Sequence, residues 1–259
     1  MGSRARVVGL VASAIVAGAF LAGCSGGGGG ARKNASFTLQ VDAGAATNRV
    51  QARAQTIRVL RERLSRTSVS RLELKPQGDD LIAIRLRGVS ESEDKTVRRL
   101  LVRPGLLEFR AVHAQSEELI GSKGASPGFE PLPVKNPTLA STNQQAYLVS
   151  EQPVRGFTGK NIERAWIFRD RATGRSTIGL RFSPPGAALL REVTRDTVGR
   201  RLAIVLDREV LATPLIEEEV TVPHFTVPTR LSDRENNEVL NLVQHPLPVR
   251  LKIVEEGEQ

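Results

Sequence analysis

Apolar residues recur along this chain with two periods, every second position in some stretches and every third or fourth in others. Residues 37–41, FTLQV, alternate and predict a strand. In residues 47–66, Val50, Ala54, Ile57, Leu60 and Leu64 recur at steps of three and four, which predicts a helix with one apolar stripe. VSRLELK (69–75) predicts a strand, PQGDD a turn, and LIAIRLR (81–87) the return strand. Ser90 with Glu93 forms a capping box, opening a helix that runs to about Leu101. RPG stops that helix, and LLEFRAV (106–112) predicts a further strand.

The pattern changes at residues 114–146, which are rich in Gly, Pro, Ser and Asn and predict a linker. It resumes with NIERAWIFRD (161–170) and RSTIGLRF (175–182), a hairpin around RATG in which Gly174 is suited to a positive φ. Ser183 caps the next helix, with Pro184 in its first turn and Ala187, Leu190, Val193, Thr194 and Val198 facing inward. RLAIVLD and EVLATPLI form a second hairpin at Asp207-Arg208, and VPHFTVP adds a strand. Ser232 with Glu235 opens a helix to about Gln244, and PVRLKIVEE closes as a strand. The element order predicts an α+β fold of two ferredoxin-like βαββαβ modules in tandem. The first spans 37–113, the linker 114–146, and the second 147–259.

The front of the chain has a different character. Arg4 and Arg6 precede a small apolar run from Val7 to Phe20, short of the roughly 20 residues a membrane span needs. Leu21-Ala22-Gly23 and then Cys24, the only cysteine of 259 residues, resemble the lipobox of bacterial lipoproteins. That resemblance implies a signal peptide over 1–23, acylation of Cys24, and a Gly-rich tether over 24–36. Ser25 does not resemble an inner-membrane retention signal, which favours the outer membrane in a cell that has one. One cysteine excludes an intramolecular disulfide, so the core alone must hold the fold.

The formal charge is +9, and loss of Arg4 and Arg6 with the signal lowers it to about +7. An extracytoplasmic place and a scarcity of aromatic residues (one Trp, one Tyr, eight Phe) argue against nucleic acid as the partner. Solvated faces, lipid headgroups or acidic partners remain as the use of the arginines.

Candidate chemistry is sparse. His113, His224 and His245 are each solitary in sequence, and no metal-ligand spacing appears. Glu217, Glu218 and Glu219 read as a solvated edge, and Asp207 and Glu209 flank a turn. The glycine tract precedes no strand-to-helix phosphate turn, and no GxSxG elbow is present. These features predict neither an enzyme nor a cofactor. Phe157, Trp166, Phe168 and Phe182 concentrate in the second module and stand as core or binding aromatics.

The runs IRVLRERL, QGDDLIAIRLRGV and LLEFRAV resemble the base of the first periplasmic domain of SecD, a subunit of bacterial protein export. FTGKNIERAW, LRFSPPGAALLREVTRDTVGRRLAIVLDREVLATPLI and LPVRLKIVEE resemble its head. Arg208, His245-Pro246 and Arg87 depart from the family pattern at turns, and the family's membrane helices do not appear in this sequence. The resemblance implies a non-catalytic, membrane-anchored module that binds unfolded preprotein or envelope polypeptide, with Sec export components as partners and no motor of its own. The alternative is a scaffolding lipoprotein that kept the fold without preprotein binding.

Overall fold

In the computed structural model, which describes residues 32–42, 44, 48–135, 145–171 and 174–258, the first alternation becomes strand β1 (Lys33–Asp42). Ala35, Phe37, Leu39 and Val41 are buried on one side of it. Helix α1 (Arg49–Ser65) starts at Asn48, whose side chain accepts from the Gln51 N–H. Its buried stripe is Ala52, Thr56, Leu60, Arg63 and Leu64, rotated from the expected one, so that Val50 is left 60% exposed. Thr56 enters the core because its hydroxyl donates to the Ala52 carbonyl one turn back. Strands β2 (Arg71–Gln77) and β3 (Leu81–Val89) follow, then helix α2 (Glu91–Val102), opened by the Ser90–Glu93 capping box.

The next strand, β4 (Leu107–Ala111), corrects the tandem-module expectation. It does not return to the first sheet. That sheet is antiparallel in the order β12-β1-β3-β2, and its place beside β1 is taken by the C-terminal strand β12 (Arg250–Glu258). β4 instead pairs with β9 (Leu202–Leu206), which pairs with β10 (Glu209–Ala212). The cause is local. After α2, Pro104 and Gly105 (φ +80°) turn the chain, and the Asp207 carboxylate accepts from the Gly105 and Leu106 N–H groups, each at 2.8 Å. Arg103 holds the same Asp207 at 3.0 Å and Glu209 at 2.7 Å. The two halves therefore interlock through exchanged strands, and one hydrophobic core runs through both, including Phe37, Phe109 and Leu180.

The described residues of the expected linker, 114–135 and 145–146, also carry regular structure. They contain helix α3 (Ser116–Gly121) and strand β5 (Phe129–Pro133), which pairs with β6 (Ala146–Ser150). This hairpin covers the far side of β9. All five residues of β9 are buried, with Leu202, Ile204 and Leu206 in the main core. Ala203 and Val205 lie in a second cluster with Leu132, Tyr147, Val149 and Val210. The apolar run LAIVL is thus a strand covered on both faces.

A third sheet has the order β11-β8-β7, from β7 (Ile162–Arg169), β8 (Ser176–Phe182) and β11 (His224–Val227). Helix α4 (Pro184–Asp196), capped by Ser183, follows β8. Helix α5 (Asp233–Gln244), opened by the Ser232–Glu235 capping box, packs on β7 and β8.

Arg63 joins the helices of the two halves. It is fully buried and donates to the carbonyls of Leu100 (2.8 Å), Arg103 (2.6 Å) and Pro104 (3.0 Å) at the end of α2. It also donates to the His245 carbonyl (2.7 Å) at the end of α5. The Leu100, Arg103 and His245 carbonyls are ones that helix ends leave without partners, while the Pro104 carbonyl also accepts from the Leu247 N–H at 2.7 Å. Burial pulls the Arg63 pKa down to about 10, so the side chain stays charged at neutral pH. Asn241 returns the contact by donating to the Arg63 carbonyl at 2.8 Å.

Candidate peptide-binding face

The third sheet separates the four aromatics that the sequence groups together. Phe157 and Phe182 are buried, with ring centroids 5.0 Å apart. They pack with Phe109, which stacks on Phe157 at 4.3 Å, while Phe225 meets Phe109 edge-on at 6.5 Å. This inner face is core. Trp166 and Phe168 lie on the opposite face of β7 and are half-buried. Register produces the split: Ala165 and Ile167 pair with Leu180 and Ile178 on the inner side, so Trp166 and Phe168 pair with Gly179 and Thr177 on the outer side.

Gly179 seats the indole. A Cβ at this position would lie 2.5 Å from Trp166 Cε2, so any side chain here would displace the ring. His224 of β11 meets Trp166 edge-on at 6.2 Å, and the Arg164 guanidinium lies 6.0 Å from the ring centroid. Arg181 shares this side and pairs with Glu163 at 3.2 Å. The result is an aromatic platform with a basic rim. A glycine inside a strand pattern marks a close approach, and that was the signal in the sequence for Trp166. Nothing in the sequence marked His224 as its neighbour.

Among the described residues, β7 and β11 pair only with β8, so each leaves one edge without a strand partner. The two edges differ. Gln244 donates to the Ala165 carbonyl at 2.8 Å and so occupies part of the β7 edge. A half-buried aromatic platform beside an open edge suits an extended chain, which pairs through its backbone and seats alternate side chains.

The other candidate groups are engaged in structural contacts. His113 Nδ1 accepts from the Gln115 N–H at 3.1 Å, which leaves the proton on Nε2, 3.3 Å from Ser126 Oγ. The ring therefore presents a donor to the serine, the reverse of what a general base needs. Asp207 and Glu209 hold Arg103, as described, and Asp207 and Arg208 both take positive φ at the hairpin tip. Arg208, at a turn position where the resemblance expects glycine, donates to Glu130 at 2.7 Å, and this bond holds the Glu130 pKa below the usual carboxylate range. Glu219 pairs with Arg191. His245 ends α5, where burial and then nearby Arg66 lower its pKa. Its Nε2 and Asn241 Oδ1, one turn apart, are buried without hydrogen-bond partners. Among the described residues no cluster of His, Cys, Asp and Glu has the arrangement to hold a metal ion, and no helix is long and apolar enough to cross a membrane. Cys24 lies outside the described residues.

Residues 134–249, which contain the platform and both edge strands, match the model of the SecDF P1 head subdomain. Protein translocase subunit SecD of Syntrophobacter fumaroxidans is 28% identical over 207 residues, covering 78% of this chain and 38% of that protein. SecDF of Thermus thermophilus is 30% identical over 200 residues, covering 76% of this chain and 26% of that protein. The folded body is a SecD-type periplasmic domain. A solved structure described as a membrane component SecDF that enhances protein export matches this domain with a TM-score of 0.61 and 26% identity. The match covers 85% of this chain and 98% of that one. SecDF in a super-membrane-facing form shares the fold at a TM-score of 0.64 and 24% identity, over 88% of this chain and 30% of that one. The SecD-type chain thus spans 38% and 26% of the lengths of these two curated relatives.

Proposed function

We propose that this SecD-type domain is a non-catalytic, extracytoplasmic module of protein translocation that binds unfolded secreted or envelope polypeptide. In this reading the client lies on the outer face of the β11-β8-β7 sheet, against Trp166 and Phe168, with β11 as the pairing edge. The observation that carries it is the match to the SecDF P1 head over residues 134–249, which includes the three strands of that face. The lipobox-like LAGC implies acylation at Cys24, which would place the module at a membrane beside Sec export components.

Trp166 is the only tryptophan, so its fluorescence reports the platform directly. Titration with an unfolded precursor should shift its emission, with a micromolar Kd, about −8 kcal/mol, since ordering a flexible ligand offsets much of the contact energy. The folded form of the same precursor should leave the emission unchanged. Equal response to both forms, or to neither, would put the scaffolding alternative ahead. Loss of binding at high salt would credit the arginine rim over the aromatic platform. Separately, the Cys24→Ala variant should lose incorporation of radioactive fatty acid and fractionate away from membranes.

A further inference from the structure

The four-stranded sheet carries α1 and α2 on one face, and its other face is polar and basic. Arg71, Lys75, Arg85 and Arg87 project from this side of β2 and β3 and are exposed. Arg71 and Arg87 are direct cross-strand partners. Like charges placed opposite each other weaken a strand pair. Arg85 faces Glu73, but that carboxylate is already held by Lys75 at 2.5 Å. A depression of about 360 Å³ lies here, lined in part by Ser36, Arg71, Arg85 and Arg87, and Glu73 is the single carboxylate among the described residues that line it. Glu73, which Arg85 and Arg71 also attract, and Glu255 of β12 offset part of this charge, and against Arg71, Lys75, Arg85 and Arg87 they leave the face with a positive excess.

Position adds a second argument. The Arg71–Arg87 rung lies at the end of the sheet where β1 begins, near the pairing of Ala35 with Leu86. Lys33 lies nine positions after Cys24. At roughly 3.5 Å per residue, an acyl group on Cys24 would hold this end of β1 within about 30 Å of a bilayer. We infer that the Arg71–Arg85–Arg87 face docks on the anionic phospholipid headgroups of the membrane that holds the anchor. This inference rests on the lipid-anchor reading of Cys24. Under it, the body rests with its basic sheet toward the lipid, and electrostatic attraction adds the second signal that a stable membrane attachment needs.

Vesicle flotation of the full-length Cys24→Ala chain tests the face without the acyl group. Vesicles of phosphatidylcholine containing phosphatidylglycerol should bind the protein at least about tenfold more tightly than phosphatidylcholine alone, and high salt should abolish the difference. The triple variant Arg71→Gln/Arg85→Gln/Arg87→Gln should lose that preference. A control with the same charge change at exposed Arg58, Arg61 and Arg200 should keep it. Equal binding to both vesicle types by the parent, no effect of salt, or equal losses in the two triple variants would each overturn the inference. The single variants Arg71→Gln, Arg85→Gln and Arg87→Gln, each at an exposed side chain, should each weaken the preference, and they decide the matter even if the triple variant fails to fold. Failure of the anchor reading shows independently, as absence of fatty-acid label on the unmutated chain.

Discussion

Replacing Arg63 with leucine removes a side chain that serves the C-terminal ends of both α2 and α5. Leucine keeps most of the apolar stem and removes every donor. Four carbonyls, those of Leu100, Arg103, Pro104 and His245, then lose the guanidinium. Hydrogen bonds from a charged donor contribute about 1.5–3 kcal/mol each, so the low end for four is roughly 6 kcal/mol. The substitution also relieves the cost of burying the charge. A pKa pulled from 12.5 to about 10 corresponds to roughly 3 kcal/mol of that cost. The balance is a loss of about 3–5 kcal/mol, in the range seen when a buried charged group is deleted from its partners. Urea unfolding of residues 32–259, followed by far-UV circular dichroism and by Trp166 fluorescence, measures it. The midpoint should fall while the slope with denaturant stays constant. Arg63→Lys should recover less than half of the loss, since one ammonium cannot serve carbonyls now met by Nε, Nη1 and Nη2. A leucine variant within about 1 kcal/mol of the parent would refute the reasoning and show that water or local rearrangement satisfies the helix ends at little cost.

Leu180→Ala, at a buried position of the central strand β8, should cost about 2–5 kcal/mol in the same unfolding assay, and a cost near zero would mean that the core closes around the cavity. Gly179→Val should push the indole off its seat, redden Trp166 emission and weaken binding of unfolded polypeptide; unchanged emission would place the ring elsewhere. Burial, then Arg66, holds the His245 pKa below its ordinary 6.5, so the unfolded chain takes up this proton more readily than the folded one. Stability from this group should therefore be complete above pH 6.5 and decline as the pH falls toward the folded-state pKa. His245→Gln should flatten that stretch of the urea-midpoint profile.

Local signals in the sequence translate directly into structure. The Ser90–Glu93 and Ser232–Glu235 boxes open α2 and α5, and Gly174 takes φ +67° between β7 and β8. These features depend on neighbours along the chain. Sheet membership does not. The pattern of LLEFRAV identifies a strand but is silent about its partner, and contacts from Asp207, a hundred residues away, direct β4 to β9. Likewise the composition of 114–146 suggests a linker, because β5 and β6 gain apolar cover only when Ala203 and Val205 are set against them. Arg63 was hidden for a similar reason. It is one arginine among several on α1, and only the tertiary arrangement buries it. At the candidate face the four aromatics were visible as a group, but strand register alone separates Phe157 and Phe182 from Trp166 and Phe168.

The pairing of β1 with β12 imposes an order on assembly. The first strand of the body to be synthesised finds one of its two neighbours only after the last has been made. Contacts such as Val41 with Leu251 span 210 residues of chain. Such non-local pairing slows folding. During that interval β1 can pair with β3, yet its other side presents unpaired backbone groups that any extended strand could engage. A nascent body lacking only Arg250–Glu258 would already hold most of its core and still display this adhesive border. The final nine-residue strand thus moves the border of the sheet from apolar β1 to β12, where exposed Lys252, Glu255 and Glu256 discourage a further strand.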